Sequence, residues 1–287
     1  MNPCLDAGAA ILSPFKEFVS IYIIKVYNIY EVWYNRIMKT VFTNSSNEII
    51  FYTPAHVENF YNPRPSNKFI PTWFKKLSQT LDPDNKNKSS LFLKNRQPTT
   101  DGTVKKCIPF LDAYNLGYII PLPYDLIINK SEKGCQFFSG VKSSLDEEFI
   151  GMHSLEQIQG SPITGNSNCN QIFKVNSPWR IKTPKGYSCI FTAPFNRPEL
   201  PLQVLTGIID TDTYHSANFT FNINLEIGEH LIEANTPLVQ VIPFKRESWI
   251  SKELPFNKND LEKEHTQVLG FLNNFYKRKH HKKKTFL

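Results

Sequence analysis

Six short apolar stretches, each bounded by proline, glycine, asparagine or other turn formers, constrain the fold of this chain more than any other feature. They lie between residues 171 and 246 and read QIFKVN, WRIKTP, YSCIFTAP, LQVLTGIID, NFTFNINLEI and PLVQVIPFKR. Short runs of this kind, separated by turn residues, are typical of β-strands in a sandwich, a jelly roll or a small barrel. The sequence therefore predicts a mainly β fold.

The composition agrees with that prediction. The chain has 287 residues, including 22 phenylalanines and 12 tyrosines, and its 20 prolines outnumber its 12 glycines. Aromatic residues favour strands, and prolines favour turns and loops over helix interiors. The length allows one large domain or two small ones.

Four regions differ in character along the chain. The predicted regions are an N-terminal extension at 1–37, a β and loop region with a linker at 38–103, a β-barrel core at 104–247, and a C-terminal helix with a basic tail at 248–287. In the last region, apolar residues recur every three or four positions from Leu261 to Tyr276. This spacing predicts an amphipathic helix packed on the barrel.

The N-terminal region contains the aromatic and aliphatic stretch FVSIYIIKVYNIYEVWY. Lys25, Asn28 and Glu31 interrupt it, so it is too short and too polar for a membrane span, and it has no signal-peptide cleavage site. We expect no stable membrane insertion. The stretch fits a packed amphipathic helix, an interfacial anchor or an extension upstream of the true start. The strand-like MKTVFTNSSNEIIFY beginning at Met38 favours the extension.

The net charge of +7 is unevenly distributed. Much of it lies in the last residues, KRKHHKKKTFL, and the rest of the chain is close to neutral. A basic tail of this kind contacts phosphates or anionic surfaces without specificity. The simpler and favoured expectation is a solvated, disordered end.

The five cysteines are scattered and never form a C-x-x-C pair, which argues against a disulfide framework and a structural zinc site. The seven histidines include no H-E-x-x-H motif, so no metal site is predicted. The absence of Walker A and G-x-G-x-x-G sequences argues against P-loop and Rossmann sites. Unpaired cysteines indicate a reducing compartment, and the predicted location is the cytoplasm.

The stretch GIIDTDTYH at residues 207–215 places two acids directly after a strand candidate. Residues two apart in a strand point to the same face, so Asp210 and Asp212 could share a proton or hold a divalent metal. Alternatively, the two acids end the strand and accept turn hydrogen bonds. Asp210 and Asp212 are the candidate catalytic residues, and both interpretations stay open at this level.

Four motifs follow one another between residues 175 and 245. They are a P-x-G-Y strand start at Pro184, a following loop with Arg197, the GIID strand end, and the strand IEANTPLVQVI containing Gln240. In order and spacing they resemble the core of the trimeric dUTPase and dCTP-deaminase superfamily. The resemblance covers about a quarter of the chain.

This resemblance implies a jelly-roll or dUTPase-like β-barrel that forms a homotrimer. Asp210 would then act on the attacking water as general base, Tyr214 would pack on the deoxyribose, and Arg197 would bind phosphate oxygens. Gly207 and Gln240 occupy matching positions and are the remaining ligand-binding candidates. Magnesium would serve as a cofactor only for the hydrolase function.

The chain also departs from the superfamily pattern. Where the superfamily follows its arginine with two small hydroxyl residues, this chain has NRPEL. Pro198 has no N–H to donate to phosphate, and Glu199 brings negative charge toward a triphosphate. DTDTY carries one residue more than the superfamily's D-x-D-Y, and the C-terminal glycine-rich lid is absent. A fold can persist without its original site.

The layout of the whole chain also resembles an uncharacterised family of phage and marine bacterial proteins. The matching stretches are KFIPTWFKKL, TVKKCIPFLDAYNLGYIIPLP, PWRIKTPKGYS, GIIDTDTYH and PLVQVIPFKRESW. That resemblance implies a viral context, and hence the cytoplasm of a bacterial host, without supplying a mechanism.

Two functions follow from these observations. The preferred one is a phage-type binding or structural protein that uses the β scaffold without catalysis and recognises a protein partner or a nucleotide. The alternative is a nucleotide or small-molecule diphosphohydrolase, or a deaminase-like enzyme, with Asp210 as general base. The lost phosphate-binding residues favour the first function, and the preserved GIID with a downstream aromatic residue favours the second.

Overall fold

A computed structural model of the chain describes residues 48–53, 61–79, 102–139, 149–153, 157, 172–255, 257–263 and 275–287. The residues from Ile49 to Leu287 form one compact unit. The other unit, residues 1–48, contributes only Glu48 to the described part. The predicted N-terminal extension and the strand-like piece after Met38 therefore lie outside the described residues.

Strands make up most of the described regular structure. They are β1 (Ile50–Tyr52), β2 (Arg64–Pro65), β3 (Tyr118–Pro121), β4 (Leu126–Ser131), β5 (Gly134–Ser139), β6 (Ile150–His153), β7 (Ile172–Lys182), β8 (Tyr187–Thr192), β9 (Leu202–Val204), β10 (Gly207–Ile209), β11 (Ser216–Ile223), β12 (Gly228–Ile232) and β13 (Pro237–Lys245). The helices are α1 (Thr72–Lys76), α2 (Ile108–Asn115) and α3 (Phe275–Lys279), with 3₁₀ turns at Ser66–Phe69 and Val104–Lys106.

These strands form three sheets, in which every pairing is antiparallel. The first has the order β1-β7-β11-β9, and β6 also pairs with β7. The second has the order β10-β8-β13-β3-β2, and the third β12-β4-β5. The prediction of a mainly β fold is confirmed.

The predicted closed barrel is not found among the described strands, because both large sheets end at strands with a free edge in this part of the chain. The stretch LQVLTGIID shows why. Its first half is β9, which pairs with β11 in the first sheet, and its second half is β10, which pairs with β8 in the second. One predicted strand therefore serves as an edge of two different sheets.

The hydrophobic core lies between the sheets. Successive strand residues point to opposite faces, and alternate residues of β4 and β11 are accordingly buried. Phe219 of β11 and Phe191 of β8 are both buried, and their ring centroids lie 5.3 Å apart. Phe137 joins the third sheet to this core through a contact of 4.7 Å between ring centroids with Phe173 of β7. Burying one such ring contributes roughly 1.5–3 kcal/mol.

The strand β7 runs unbroken through a segment in which the sequence predicts two strands. Pro178 suggested a break, because proline cannot donate a ladder hydrogen bond. In the structure Pro178 lies in β7 where the pairing with β11 shifts register, between the pairs Asn176↔Asn218 and Arg180↔Ser216. A bulge of this kind accommodates a proline without the loss of a regular ladder bond.

The end of α2 contacts β13, and this helix was not predicted. Gly117, which follows α2, has φ +71° and lies so close to β13 that an added Cβ would be 2.1 Å from the carbonyl oxygen of Val241. Only glycine fits this position, because a side chain would meet backbone and φ is left-handed. Gly117 therefore fixes the end of α2 against the second sheet.

The C-terminal region differs in part from the prediction. Residues 258–263 and α3 are helical, and the middle of the predicted helix lies outside the described residues. Leu261 is 48% exposed, so it does not pack as the amphipathic pattern predicted. The basic tail, residues 277–287, contacts α2 and β3 where the sequence favoured a solvated end. No helix in the described part of the chain is long and apolar enough to cross a membrane.

Candidate functional site

The candidate acids lie in a tight turn after β10 and not within a strand. The backbone carbonyl of Asp210 accepts hydrogen bonds from the N–H groups of Thr213 and Tyr214, at 3.1 and 2.9 Å. The turn ends the strand, in agreement with the interpretation of GIIDTDTYH as a strand end. Asp210 and Asp212 do not lie in an extended strand, so the turn, and not strand alternation, brings both carboxylates to Arg246.

Asp212 forms the centre of the charged cluster. Its carboxylate pairs with both terminal nitrogens of Arg246, at 3.0 and 2.5 Å, and accepts the N–H of Gly186 at 2.8 Å. The Asp212 side chain is only 3% exposed. The hydrogen bonds from Arg246, followed by that from Gly186, lower the pKa of Asp212 to about 2. Asp212 is therefore a stably ionised structural partner of Arg246.

Asp210 belongs to the same cluster but faces solvent. Its Oδ1 accepts the hydroxyl of Ser188 at 2.6 Å and lies 3.2 Å from Nη1 of Arg246. The side chain of Asp210 is 61% exposed. We name the group Asp210, Asp212, Arg246 and Ser188 the Asp212 cluster.

Arg246 and Ser188 are the residues of this cluster that the sequence did not predict, and Arg246 carries its positive charge. The register of β13 against β8 pairs Lys245 with Tyr187, which brings the next residue to the turn between β7 and β8. There the N–H of Arg246 donates to the carbonyl of Gly186 at 2.8 Å. The sequence does show an arginine directly after the last strand of the core. Its partners can be identified only from the strand register.

Buried polar side chains hold the turn to the strands on either side of it. The hydroxyls of Thr183 and Thr211 are 2.7 Å apart, and Thr211 also donates to the Cys189 sulfur at 3.3 Å. Burial raises the pKa of the Cys189 thiol to about 11. A thiol with this pKa is protonated at neutral pH, so Cys189 is a packing residue and not a nucleophile.

An exposed face lies beside Asp210. Tyr214 and Ile208 are 61% and 63% exposed. No atom lies within 4 Å of the place where a Cβ on Gly207 would be, so this glycine borders open space. We name these exposed residues of β10 and its turn, together with Asp210, the turn face. Its exposed groups are an aromatic ring, an aliphatic side chain and a carboxylate, and the bare backbone of Gly207 lies on the opposite side of β10 from Ile208.

His215 lies on the other side of the turn. Its Nδ1 is 2.8 Å from the hydroxyl oxygen of Tyr52, and the two rings meet edge to face at 6.0 Å. Burial, and then the positive charge of Lys182, lower the pKa of His215. A neutral His215 hydrogen bonded to Tyr52 ties β1 to the start of β11.

Arg197 does not join the Asp212 cluster. Its side chain is 13% exposed, forms an ion pair with Glu199, and donates to the carbonyl of Phe69 at 2.9 Å. The acid that follows Pro198 in the sequence therefore occupies the guanidinium that the resemblance assigns to phosphate.

Gln240 is buried, with 1% of its surface exposed. Its Oε1 accepts the N–H of Phe195 at 2.8 Å, and its Nε2 donates to the carbonyls of Ala113 and Leu116 at 3.1 and 2.6 Å. The side chain therefore ties the end of α2 to the loop that carries Arg197. This geometry leaves Gln240 no exposed atoms for a ligand.

The Asp212 cluster does not fit a magnesium ion. The guanidinium of Arg246 already contacts both carboxylates, and a divalent cation beside it would be repelled. Within the described ranges, no group of three or more histidines, cysteines or acids is arranged to hold a metal.

No protein-family model matches the chain, and no curated protein matches it. Three solved dUTPases are similar in structure at low scores. The equine infectious anaemia virus (EIAV) enzyme is 15% identical, with a TM-score of 0.26, over 50% of this chain and 84% of that chain. A mutant dUTPase from phage phi11 of S. aureus is 11% identical, with a TM-score of 0.26, over 50% and 84% of the two chains. A mutant dUTPase of Staphylococcus bacteriophage 80alpha, solved with dUpNHpp, is 12% identical, with a TM-score of 0.27, over 58% and 87%. TM-scores of this size do not establish a shared fold.

Proposed function

We propose that this chain is a non-catalytic binding protein built on a dUTPase-like β scaffold. The observation that carries the proposal is that Arg197, which the resemblance assigns to phosphate, and Arg246, which lies beside Asp210, are both already paired with acids of the chain. Arg246 pairs with Asp212 and Asp210, and Arg197 pairs with Glu199. Both guanidinium groups are therefore already occupied, and neither is available to a triphosphate.

The surroundings of Arg197 weigh against phosphate binding. A phosphate approaching Arg197 would have to displace Glu199, whose negative charge would then repel the ligand. Pro198 offers no N–H in compensation. The Phe69 carbonyl that accepts from Arg197 is likewise an acceptor and would face the phosphate oxygens.

The surroundings of Asp210 weigh against general-base catalysis. With a side chain 61% exposed, Asp210 would hold a water molecule at the surface and not in a site from which bulk water is excluded. Its Oδ1 is engaged by Ser188 and Arg246. These contacts suit a residue that positions a turn and accepts hydrogen bonds from a ligand.

The turn face supports a ligand class. The exposed ring of Tyr214 can stack on a planar or sugar ring, and the Asp210 carboxylate can accept hydrogen bonds from hydroxyl groups. The open space above Gly207 admits a flat ligand close to the backbone. A nucleoside or another hydroxylated ring without a triphosphate combines these features.

One observation favours the hydrolase or deaminase-like alternative. Asp210 and Tyr214 are both exposed in one turn, joined by the hydrogen bond from the Tyr214 N–H to the Asp210 carbonyl, and they follow Gly207 in the sequence order that the resemblance assigns to catalysis. In that alternative, Asp210 acts as general base, and magnesium would come with the substrate's phosphates and not with the Asp212 cluster.

Two measurements on the full chain test the proposal. The first is pyrophosphate release from a panel of nucleoside triphosphates with magnesium, for which we expect no turnover. The second is a thermal-shift screen with nucleosides, in which a ligand at a hundred times its Kd should stabilise the fold by about 2.7 kcal/mol. Tyr214→Ala should abolish that shift, whereas Tyr61→Ala should retain it, because Tyr61 is also an exposed tyrosine, at 43%, but lies outside the turn face.

Turnover that disappears in Asp210→Asn without a change in melting temperature would overturn the proposal in favour of the hydrolase. A homotrimer and a cytoplasmic location belong to the same proposal. A monomer in light scattering would contradict the proposed trimer. The free thiols of Cys107 and Cys189 support a reducing compartment.

A further inference from the structure

Positive charge is concentrated around α1, α2 and the basic tail. The described segments 61–79, 102–118 and 275–287 contain a single acidic side chain, that of Asp112. Their other charged side chains are lysines and arginines, and the last segment also has two histidines. The whole chain carries only +7, so the charge of these segments is offset elsewhere. An uneven distribution of this kind favours binding of a polyanion at one surface.

The basic tail has a defined place on this surface. Nζ of Lys284 lies 2.5 Å from the Asp112 carboxylate, and Nε2 of His281 lies 3.1 Å from both oxygens of the same group. Burial alone would raise the pKa of Asp112, but the hydrogen bonds from Lys284 and His281 outweigh burial and lower it. A charged Asp112 therefore anchors the tail to α2.

A second contact fixes the end of the tail. The ring of Phe286 meets the ring of Tyr118 edge to face, with centroids 5.8 Å apart. The hydroxyl of Tyr118 donates to the carbonyl of Leu287 at 3.3 Å. Because the tail is held at both Asp112 and Tyr118, its remaining cations have fixed positions on the folded body.

Those remaining cations face solvent. Lys277, Arg278, Lys279, Lys282 and Lys283 are exposed. None of them forms an ion pair with an acid in the described part of the chain. Exposed and unpaired cations are the groups that phosphate neutralises with release of counterions.

A second group of cations lies before α2. Nζ of Lys105 donates to the carbonyl of Lys75 at 2.5 Å, which joins the 3₁₀ turn ahead of α2 to α1. Lys76 and Lys106 are the sequence neighbours of this pair. Asp112 follows Lys106 by six residues, so their Cα atoms lie at most about 22 Å apart, and the two groups of cations are within reach of one extended ligand.

Aromatic rings accompany both groups. Trp73 is 47% exposed, and its ring packs edge to face on the buried Phe74 at 5.6 Å. Tyr276 is 45% exposed and lies 6.0 Å from the ring of His281. Each ring is held by packing while presenting surface to solvent, which is the arrangement on which unpaired bases stack.

We propose that the surface formed by residues 73–76, 105–106 and 276–283 binds single-stranded nucleic acid. Its lysines and arginine bind phosphates, and Trp73 and Tyr276 stack on bases. We name it the basic surface. A duplex would use the cations alone, because its bases are already stacked on one another. The basic surface therefore prefers a single strand.

Fluorescence anisotropy of the full chain with labelled oligo-dT of about 16 nucleotides tests the proposal. Between about 50 and 200 mM salt, the logarithm of the affinity should fall linearly with that of the salt concentration. Replacing Lys279, Lys282 and Lys283 together with glutamine should lower the slope by about 2 and the affinity at least tenfold.

The control removes the same charge elsewhere. Lys133, Lys252 and Lys258 are exposed and lie outside the basic surface, so their joint replacement with glutamine should change the slope little. Trp73→Ala should weaken oligo-dT binding about fivefold or more and leave binding of a duplex of the same length unchanged. Only variants with the melting temperature of the unsubstituted chain are compared, so that a loss of binding does not reflect unfolding.

Three results would overturn the proposal. They are no binding of oligo-dT at the lowest salt concentration, equal losses in the two lysine triples, and a duplex bound as tightly as the single strand with no effect of Trp73→Ala. None of these results bears on the turn face, because both lysine triples leave that face unchanged.

Discussion

The Asp212 cluster and the anchor at Asp112 use the same chemical groups in opposite proportions. In the first, one guanidinium, that of Arg246, serves two carboxylates. In the second, one carboxylate, Asp112, serves Lys284 and His281. The first cluster therefore has no cation left for a phosphate, whereas the second holds a segment whose other cations stay available. Which region can bind an anion depends on this ratio and not on the presence of arginine or lysine alone.

The largest expected effect on stability comes from a substitution at Gly117, where α2 ends against β13. Gly117→Ala would place a Cβ 2.1 Å from the carbonyl of Val241 at a left-handed φ, so it should destabilise the fold by roughly 3 kcal/mol. Because Gly117 supports α2, this change should also loosen the tail. Urea unfolding measures the effect.

The matched control for this substitution is Gly207→Ala, since a Cβ there meets no atom within 4 Å. We expect a change within about 0.5 kcal/mol. Equal effects of the two alanines would mean that α2 does not depend on its close approach to β13.

The next largest effect is a change of the unfolding free energy with pH. The pKa of Asp212 is about 2 in the folded chain and about 3.9 when unfolded, so its ionisation stabilises the fold above about pH 4. That stabilisation is lost as the pH falls from about 4 toward 2. Asp212→Asn should reduce the slope of unfolding free energy against pH in this window, measured by urea unfolding at each pH.

Asp260→Asn provides the control, because the Asp260 side chain is 68% exposed and its contact with Lys263 is long, at 3.9 Å. It should keep the slope of the unsubstituted chain. If the two asparagine variants gave the same slope, the pairing of Asp212 with Arg246 would not persist in solution.

A smaller effect concerns the anchor. Asp112→Asn removes the charge that holds Lys284 and His281, so trypsin should cleave the basic tail several-fold faster while the melting temperature changes little. Tyr118→Phe keeps the ring contact with Phe286 and loses only the hydroxyl, and it should show an intermediate rate. Rates are read from intact mass over time. Unchanged cleavage in Asp112→Asn would show that the tail is held by its rings alone.

The smallest effect is expected at the exposed acid of the Asp212 cluster. Asp210→Asn should cost less than about 1 kcal/mol, because exposed ion pairs contribute little. Thermal unfolding measures this. A loss as large as that of Gly117→Ala would make Asp210 a structural cap and remove it from any binding role.

Part of the fold and of the site follows from local sequence. The runs around β8, β11 and β13 predict strands because β-branched and aromatic residues lie between turn formers. GIIDTDTYH predicts a strand end with two acids, and the turn at Asp210 has that form.

The remaining features depend on distant partners. Arg246 lies 34 positions from Asp212, and Lys284 lies 172 positions from Asp112. Strand register and helix packing bring these pairs together, and no local pattern encodes either. The basic tail was therefore expected to be solvated, although its lysines were recognised. The helix α2 was missed because IPFLDAYN is short and begins beside a proline, which resembles a loop.

The buried amide of Gln240 has a genetic consequence. One side chain holds both the loop before Arg197 and the last turn of α2, which carries Asp112. A screen for loss of binding at the basic surface should therefore return position 240, although Gln240 does not belong to that surface. Substitutions there would also lower stability, because the buried backbone groups of Phe195 and Ala113 would lose their hydrogen-bond partner.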